Sequence, residues 1–164
     1  MRLLKSLWVM LLLLPLSAQA IETKASYALL LDAETGVALF EKNADARMSP
    51  ASMSKLMTVL MAFEALESGA ITADEEFFVS DGAWRRGGAG SGGSTMFLKA
   101  RSRVSVLDLL RGVIIQSGND ACIALAEGLA GSEPAFAEIM TERAQELGMS
   151  RSRFINSTGL PDPD

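Results

Sequence analysis

The feature that most constrains the fold of this chain is the apolar run from Ser52 to Leu66, which contains only a few polar residues. Several of its residues favour helices, so we expect a largely buried helix that begins near Ser52. Lys55 follows Ser52 by three residues, and residues three apart share one face of a helix. The amine of Lys55 is therefore expected to reach the hydroxyl of Ser52.

This pair of side chains indicates one kind of nucleophilic chemistry. A serine is a poor nucleophile until a base takes its proton. The sequence contains no histidine, which excludes a Ser-His-Asp triad, so an active Ser52 would need a lysine as its base. Burial on an apolar helix lowers the pKa of a lysine and makes it a better proton acceptor at neutral pH. The alternative is that Lys55 is an ordinary solvated surface charge.

A second polar cluster, Ser117-Gly-Asn119, lies in a break between two apolar segments. A capping box that starts at Ser105 predicts a helix through Ile115, and the next helix is predicted from Ala121 to Ala130. Side chains at such a break can project into a cleft, where a second hydroxyl relays protons and an amide binds a substrate amide. The alternative is that these residues only cap helices.

The remaining elements follow from simpler patterns. Two short apolar runs, Ser26–Leu31 and Val37–Phe40, flank a glycine-containing turn and predict a β-hairpin. Residues 82–94 are rich in glycine and predict a flexible surface loop rather than a phosphate-binding site. A third helix is predicted to begin at Ser132-Glu-Pro134. The helix that starts at Ser105 is expected to have an apolar face of Leu107, Leu110 and Ile114. The helix that starts at Ser132 is expected to have one of Phe136, Ile139, Met140, Ala144 and Leu147.

Length and composition limit the class of protein. The 164 residues predict one domain or part of one, and 49% apolar residues are enough for a sizeable core. The formal net charge is −5 with no basic cluster, which argues against nucleic-acid binding. The single Cys122 excludes an internal disulfide, and we expect it to be a buried core thiol.

The first 20 residues have the pattern of a secretory signal peptide. Arg2 and Lys5 form a basic start, Leu7–Leu14 an apolar core, and Ala18-Gln-Ala20 a small-x-small cleavage site. An uncleaved membrane anchor is the alternative, but the apolar core is short compared with the roughly 20 residues of a membrane span. We therefore expect a mature protein that acts outside the cytoplasm.

The two polar clusters together resemble a known superfamily. Ser52-x-x-Lys55 with Ser117-Gly-Asn119 resembles the penicillin-binding proteins and class A β-lactamases, and is more similar to the low-molecular-mass D-alanyl-D-alanine carboxypeptidases. The stretch Ile114–Cys122 is especially specific. The resemblance covers nearly all of the predicted mature chain, in the stretches Tyr27–Lys42, Met48–Thr58, Met96–Leu98, Val104–Gly131 and Asn156–Asp164.

The resemblance implies an α+β, DD-peptidase/β-lactamase-like fold, in which a helical cluster packs on an antiparallel sheet. Residues 21–164 would form the N-terminal part of that domain. By resemblance, Ser52 is the acyl-ester nucleophile, Lys55 the general base, Ser117 a proton relay and Asn119 a substrate-binding residue. No metal or other cofactor is implied.

The implied function is removal of the terminal D-alanine from peptidoglycan stem peptides through an acyl-enzyme, in cell-wall remodelling. The implied partners are the pentapeptide substrate and β-lactams as covalent inhibitors, with no nucleic acid. The implied location is the periplasm, with membrane contact only through a C-terminal helix that this sequence lacks.

The sequence departs from the family in one large respect. The third motif, Lys-Thr-Gly on a strand, is absent, and no lysine occurs after Lys99. We therefore expect a fragment truncated before this motif, without the C-terminal strands, unstable and nearly inactive. Two alternatives remain open: a serine β-lactamase, although no glutamate after Ser117 has an asparagine four residues later, and a non-catalytic relic of the fold.

Overall fold

A computed structural model of the protein describes residues 21–161. The predicted signal peptide, residues 1–20, lies outside the described residues. The chain divides into two compact units, with the boundary between Met48 and Ser49. Within residues 21–161, none of the helices has both the length and the apolar character needed to cross a membrane.

The first unit contains the predicted hairpin. Strand β1 (Ala28–Leu31) pairs antiparallel with strand β2 (Ala38–Lys42). In the turn, the Asp32 carboxylate accepts hydrogen bonds from the Thr35 hydroxyl at 2.6 Å and the Thr35 amide at 2.7 Å, which lowers the pKa of Asp32. Gly36 has φ +70°, a conformation that glycine adopts without steric cost. The hairpin prediction is confirmed.

The second unit is a helical cluster with a small antiparallel ribbon, which places it in the expected α+β class. The ribbon consists of strands β3 (Glu76–Phe78) and β4 (Arg103–Ser105). The helices are α1 (Lys55–Glu67), α2 (Asp81–Gly87), α3 (Val106–Gln116), α4 (Asn119–Ala130) and α5 (Glu133–Glu146).

Helix α4 is the centre of this unit and contacts the other four helices and strand β3. Every residue from Asn119 to Ala126 is buried. A β-carbon on Gly128 would lie 2.0 Å from the ring of Phe77, so the missing side chain lets β3 pack directly on the helix. Cys122 is fully buried as predicted, and burial raises the pKa of its thiol to about 12.

Serine side chains cap three helices at the N-terminus. The hydroxyl of Ser105 accepts from the Asp108 amide at 3.2 Å, and that of Ser132 accepts from the Ala135 amide at 3.3 Å. Both helix starts were predicted. Ser80 caps α2 in the same way, and the sequence pattern did not reveal this start.

The expected apolar faces of the helices are only partly right. In α3, Leu110 is buried, but Leu107 and Ile114 are 37% and 59% exposed. Apolar residues surround much of this helix, so the pattern did not determine which face packs. The face that packs consists of Val106, Leu109, Leu110 and Val113. In α5, Phe136, Met140 and Ala144 are buried, whereas Ile139 and Leu147 are exposed.

The prediction of a loop over residues 82–94 is wrong for its first half, which is helix α2. Gly87 ends the helix and is packed against α4, because a β-carbon there would lie 2.2 Å from the Asp120 amide nitrogen. The low helix propensity of glycine is overridden by this close contact. The second half forms a 3₁₀ turn, Ala89–Ser91, followed by Gly92 in the left-handed region.

Candidate active site

Ser52 lies in a 3₁₀ turn, Ala51–Ser54, that continues directly into α1. The predicted helix therefore exists, but its first turn is tighter than an α-helix. In a 3₁₀ turn, side chains three residues apart are nearly eclipsed. The Nζ atom of Lys55 accordingly lies 3.2 Å from the Oγ atom of Ser52.

Lys55 also reaches the second cluster, 62 residues further along the chain. Its Nζ donates to the Ser117 carbonyl oxygen at 2.7 Å and to Ser117 Oγ at 2.9 Å. The structure thus brings Ser52, Lys55 and Ser117 together. Lys55 is only 5% exposed, which is unusual for a residue type found mostly at surfaces.

The surroundings of Lys55 make its amine easier to deprotonate. Burial lowers its pKa from the ordinary lysine value. A nearby Cys122 thiolate would oppose this shift, but the pKa of Cys122 is about 12, so that thiol is uncharged near neutral pH. A neutral amine has two N–H donors and one lone pair. In the structure Nζ donates to Ser52 Oγ and to both Ser117 oxygens; a neutral amine would keep two N–H groups for Ser117 and leave its lone pair for the Ser52 hydroxyl.

Ser117 has a strained backbone. It ends α3 in the left-handed region, with φ +53° and ψ +34°, where glycine or asparagine is more usual. Such a conformation in another residue costs about 1–3 kcal/mol and is often found at functional sites. Here both Ser117 oxygens, the carbonyl and the hydroxyl, face Lys55.

Asn119 begins α4 and is 3% exposed. Its Oδ1 atom has no hydrogen-bond partner among the described residues, whereas buried polar atoms usually have one. A β-carbon on Gly93 would lie 2.7 Å from Asn119 Nδ2, so the Gly93 backbone passes close to the amide. In the described part of the chain, Asn119 makes no side-chain hydrogen bond to Ser52 or Lys55; it shares their neighbourhood through Ser117.

Asp120 is an important residue that no sequence pattern singled out. It is fully buried, and its carboxylate accepts from the Met96 amide at 2.8 Å, the Leu98 amide at 2.9 Å and the Thr95 hydroxyl at 2.8 Å. Asp120 therefore fixes residues 95–98 next to the Ser117–Asn119 turn.

A second buried carboxylate, Glu133, joins four parts of the unit. It accepts from the Ser157 hydroxyl at 2.6 Å and from the guanidinium of Arg86 on α2. The Ser157 carbonyl in turn accepts from the Thr58 hydroxyl at 2.7 Å, one turn beyond Lys55 on α1. The C-terminal tail, residues 156–161, thus supports the helix that carries Lys55 through its buried Ser157. No pattern in the tail indicated this role.

The tail also contacts the turn that carries Ser52. Gly159 has φ +73°, and a β-carbon there would lie 1.9 Å from the Ala51 carbonyl oxygen. Ala51 itself has φ +49°. No group of three or more His, Cys, Asp or Glu side chains within residues 21–161 could hold a metal ion.

Comparison with known proteins gives one consistent match. The family described as D-alanyl-D-alanine carboxypeptidase matches residues 15–164. The chain is 44% identical over 136 residues to D-alanyl-D-alanine carboxypeptidase DacC of Escherichia coli, which covers 82% of this chain and 34% of DacC. It is 40% identical over 139 residues to DacF of Bacillus subtilis, which covers 85% of this chain and 34% of DacF.

Solved structures agree. Penicillin binding protein 5 from Haemophilus influenzae matches with a TM-score of 0.82 and 38% identity, over 88% of this chain and 41% of that one. Penicillin-binding protein D2 from Listeria monocytogenes, in its ampicillin-bound form, matches with a TM-score of 0.74 and 30% identity, over 88% and 55%. The chain spans about a third of the length of the curated relatives it matches.

Proposed function

The chain belongs to the D-alanyl-D-alanine carboxypeptidase family and has the DD-peptidase fold, and we propose that it acts as a serine-type carboxypeptidase on peptidoglycan stem peptides. In this proposal Ser52 is the nucleophile, Lys55 its base and Ser117 a proton relay, and Asn119 binds an amide of the substrate. Residues 21–164 are the N-terminal part of the DD-peptidase domain. The whole activity is assigned to the natural polypeptide that contains this sequence.

One observation carries the proposal: the buried Nζ of Lys55 lies within 3.2 Å of Ser52 Oγ and 2.9 Å of Ser117 Oγ. A neutral Lys55 takes the hydroxyl proton as Ser52 attacks the carbonyl carbon of the penultimate D-alanine. The proton then passes through the Ser117 hydroxyl to the nitrogen of the departing D-alanine. Water hydrolyses the resulting ester and restores the Ser52 hydroxyl.

Asn119 has a free acceptor for this chemistry. Its buried Oδ1, which has no partner among the described residues, could accept from a substrate N–H. A buried acceptor left unpaired costs about 1–3 kcal/mol, so a substrate amide that fills this position gains that amount in binding. The amide in question belongs to the acyl part of the substrate, which stays on Ser52 after D-alanine leaves.

β-Lactams are proposed as covalent inhibitors that acylate Ser52. The ampicillin-bound relative supports this, as does the similarity to penicillin binding protein 5. The sequence has no Lys-Thr-Gly, so we propose that residues 1–164 provide nucleophile, base and relay without the strand that binds the substrate carboxylate. Loss of one oxyanion-hole donor typically costs about 10²–10³ in rate, which leaves this polypeptide alone nearly inactive.

We also propose that residues 1–20 direct secretion and that the protein acts in the periplasm on the cell wall. The names of the relatives, which act on D-alanyl-D-alanine, support a location where peptidoglycan is found.

The test is release of D-alanine from diacetyl-L-Lys-D-Ala-D-Ala by the natural polypeptide and by its Ser52→Ala variant. We expect release only when Ser52 is present, together with a lasting adduct with benzylpenicillin. Equal release by both proteins would refute the role of Ser52. Rapid turnover of nitrocefin without a lasting adduct would instead identify a β-lactamase.

A further inference from the structure

Phe97 is an exposed aromatic residue in a strained conformation. Its backbone has φ +61°, in the left-handed region, where a bulky side chain is an outlier. The residue is 73% exposed, so the ring gains little from packing within the described structure. Strain of this kind persists only where the surroundings impose it.

The buried carboxylate of Asp120 holds the backbone on both sides of Phe97. It accepts from the amides of Met96 and Leu98, the two residues that flank Phe97. The Phe97 amide itself donates to the Thr95 hydroxyl at 3.1 Å, and that hydroxyl donates to Asp120. Leu98 is 8% exposed and Thr95 9%. The neighbours of Phe97 thus turn inward, and the ring is the part that points out.

The hydrogen bonds to Asp120 place the segment that carries Phe97 beside the turn that carries Asn119. Asp120 follows Asn119 directly in the chain, and the backbone N–H of Asn119 donates to the Ser94 carbonyl oxygen at 2.8 Å. A β-carbon on Gly118 would lie 3.1 Å from the Met96 amide nitrogen. The segment that presents Phe97 therefore runs alongside the turn that presents Ser117 and Asn119.

From this placement we propose that Phe97 contacts the substrate and selects for an apolar or aromatic group on its acyl part. The inference rests on the proposed function, in which Asn119 binds the amide of that acyl part. A ring exposed on the segment beside Asn119 would meet the group attached to this amide. The fixed backbone holds the ring in position before the ligand binds, which reduces the entropy lost on binding.

The test compares benzylpenicillin, which carries an aromatic acyl group, with 6-aminopenicillanic acid, which lacks one. The second-order acylation rate constants are measured for the natural polypeptide and its Phe97→Ala variant. We expect Phe97→Ala to lower the benzylpenicillin constant about three- to tenfold, the range typical of one aromatic contact, with less than about a twofold change for 6-aminopenicillanic acid. The matched control is Phe78→Ala, which removes a ring that is 50% exposed on β3 and should leave the ratio unchanged.

Binding of benzylpenicillin to Ser52→Ala and to Ser52→Ala/Phe97→Ala, followed by calorimetry, separates this inference from the proposed function. If the wild-type protein is acylated and the ratio of the benzylpenicillin and 6-aminopenicillanic acid rate constants is the same in Phe97→Ala, only the inference is overturned. Wild-type protein that is not acylated refutes the proposed function. In that case the inference still predicts that benzylpenicillin binds Ser52→Ala/Phe97→Ala more weakly than it binds Ser52→Ala. Equal binding to the two variants, or no binding to either, overturns the inference as well.

A third variant tests whether the strain serves this contact. Phe97→Gly removes the ring and the strain, whereas Phe97→Ala removes the ring alone. We expect both to lose the preference for benzylpenicillin, and Phe97→Gly to unfold about 1–4 °C above Phe97→Ala. If Phe97→Ala unfolds several degrees below wild type while the preference is unchanged, the ring has a packing role and the inference is wrong.

Discussion

The side-chain nitrogen of Lys55 lies 2.7 Å from the carbonyl oxygen of Ser117, a residue 62 positions further along the chain. This contact joins the start of α1 to the end of α3 and holds the amine beside Ser52. The amine is buried, and both its other contacts are serine hydroxyls. The geometry places the proposed nucleophile, base and relay within one hydrogen-bonded group.

Replacement of the amine tests the proposed base. We expect Lys55→Ala to lower the acylation rate of Ser52 by benzylpenicillin about 10²–10⁴-fold, the usual contribution of a general base. Lys55→Arg should be no better, because a guanidinium stays protonated at any ordinary pH. A stopped-flow acylation assay measures both. Activity of Lys55→Arg near that of wild type would show that a positive charge, and not a base, is needed at this position.

The pH dependence of acylation reports the protonation of Lys55. Burial lowers its pKa below the ordinary value of 10.5, and only the neutral amine can accept the Ser52 proton. The acylation rate of wild type should therefore rise with pH and level off below 10.5. The measurement is the rate constant with benzylpenicillin from pH 5 to pH 10. A rate independent of pH across this range would contradict the assignment.

The same pKa shift predicts a change in stability with pH. The folded state holds the Lys55 proton less tightly than the unfolded state, so the unfolded state binds more protons between the two pKa values. The free energy of unfolding should therefore gain a contribution from Lys55 as pH rises from the folded pKa towards 10.5. Urea unfolding at several pH values measures it, and Lys55→Met should lose it. Parallel curves for wild type and Lys55→Met would argue that the amine is not desolvated.

Gly159 tests the contact between the tail and the turn that carries Ser52. Gly159→Ala places a β-carbon 1.9 Å from the Ala51 carbonyl oxygen, whereas the control Gly148→Ala has nothing within 4 Å. Both positions have positive φ, so both variants lose about 1–2 kcal/mol from backbone strain. We expect Gly159→Ala to lose about 1–3 kcal/mol more through steric overlap, and to slow acylation because Ala51 precedes Ser52. Equal losses in thermal unfolding would mean that the tail does not brace the turn.

Arg86 tests the buried carboxylate of Glu133, which is 4% exposed. Arg86→Ala leaves that charge without its cation, and we expect a loss of about 2–3 kcal/mol in the free energy of unfolding. The control Arg111→Ala removes an exposed pair with Asp108 and should cost about 0–1 kcal/mol. Addition of Glu133→Gln to Arg86→Ala should recover part of the loss. The free energies of unfolding are measured in urea for Arg86→Ala, Arg86→Ala/Glu133→Gln and Arg111→Ala. Equal values for the three variants would refute the network.

The sequence predicts much of this site because its signals are local. The three-residue spacing of Ser52 and Lys55 is enough to bring their side chains together on a helical turn. The helix break at Ser117 follows from glycine and polar residues between two apolar runs. The contact between Lys55 and Ser117, by contrast, was implied only by the family resemblance, since no spacing reports a contact across 62 residues.

What the sequence missed depends on tertiary contacts. Asp120 resembles an ordinary residue of a helix start, and only the position of residues 95–98 shows that its carboxylate anchors them. Gly87 lies in a glycine-rich stretch that predicted a loop, yet its missing side chain allows α2 to pack on α4. Ser157 resembles turn chemistry, although it is fully buried between Glu133 and Thr58. Each of these roles is defined by a partner far away in the sequence.

The most direct test of the central claim is to locate the penicillin adduct. The natural polypeptide is incubated with benzylpenicillin, digested with trypsin and analysed by mass spectrometry. Cleavage after Arg47 and Lys55 releases Met48–Lys55, in which Ser52 has two serine neighbours, Ser49 and Ser54. The account predicts one penicilloyl group on Ser52, present in Ser54→Ala and absent in Ser52→Ala. An adduct on another residue, or labelling that survives Ser52→Ala, would contradict it.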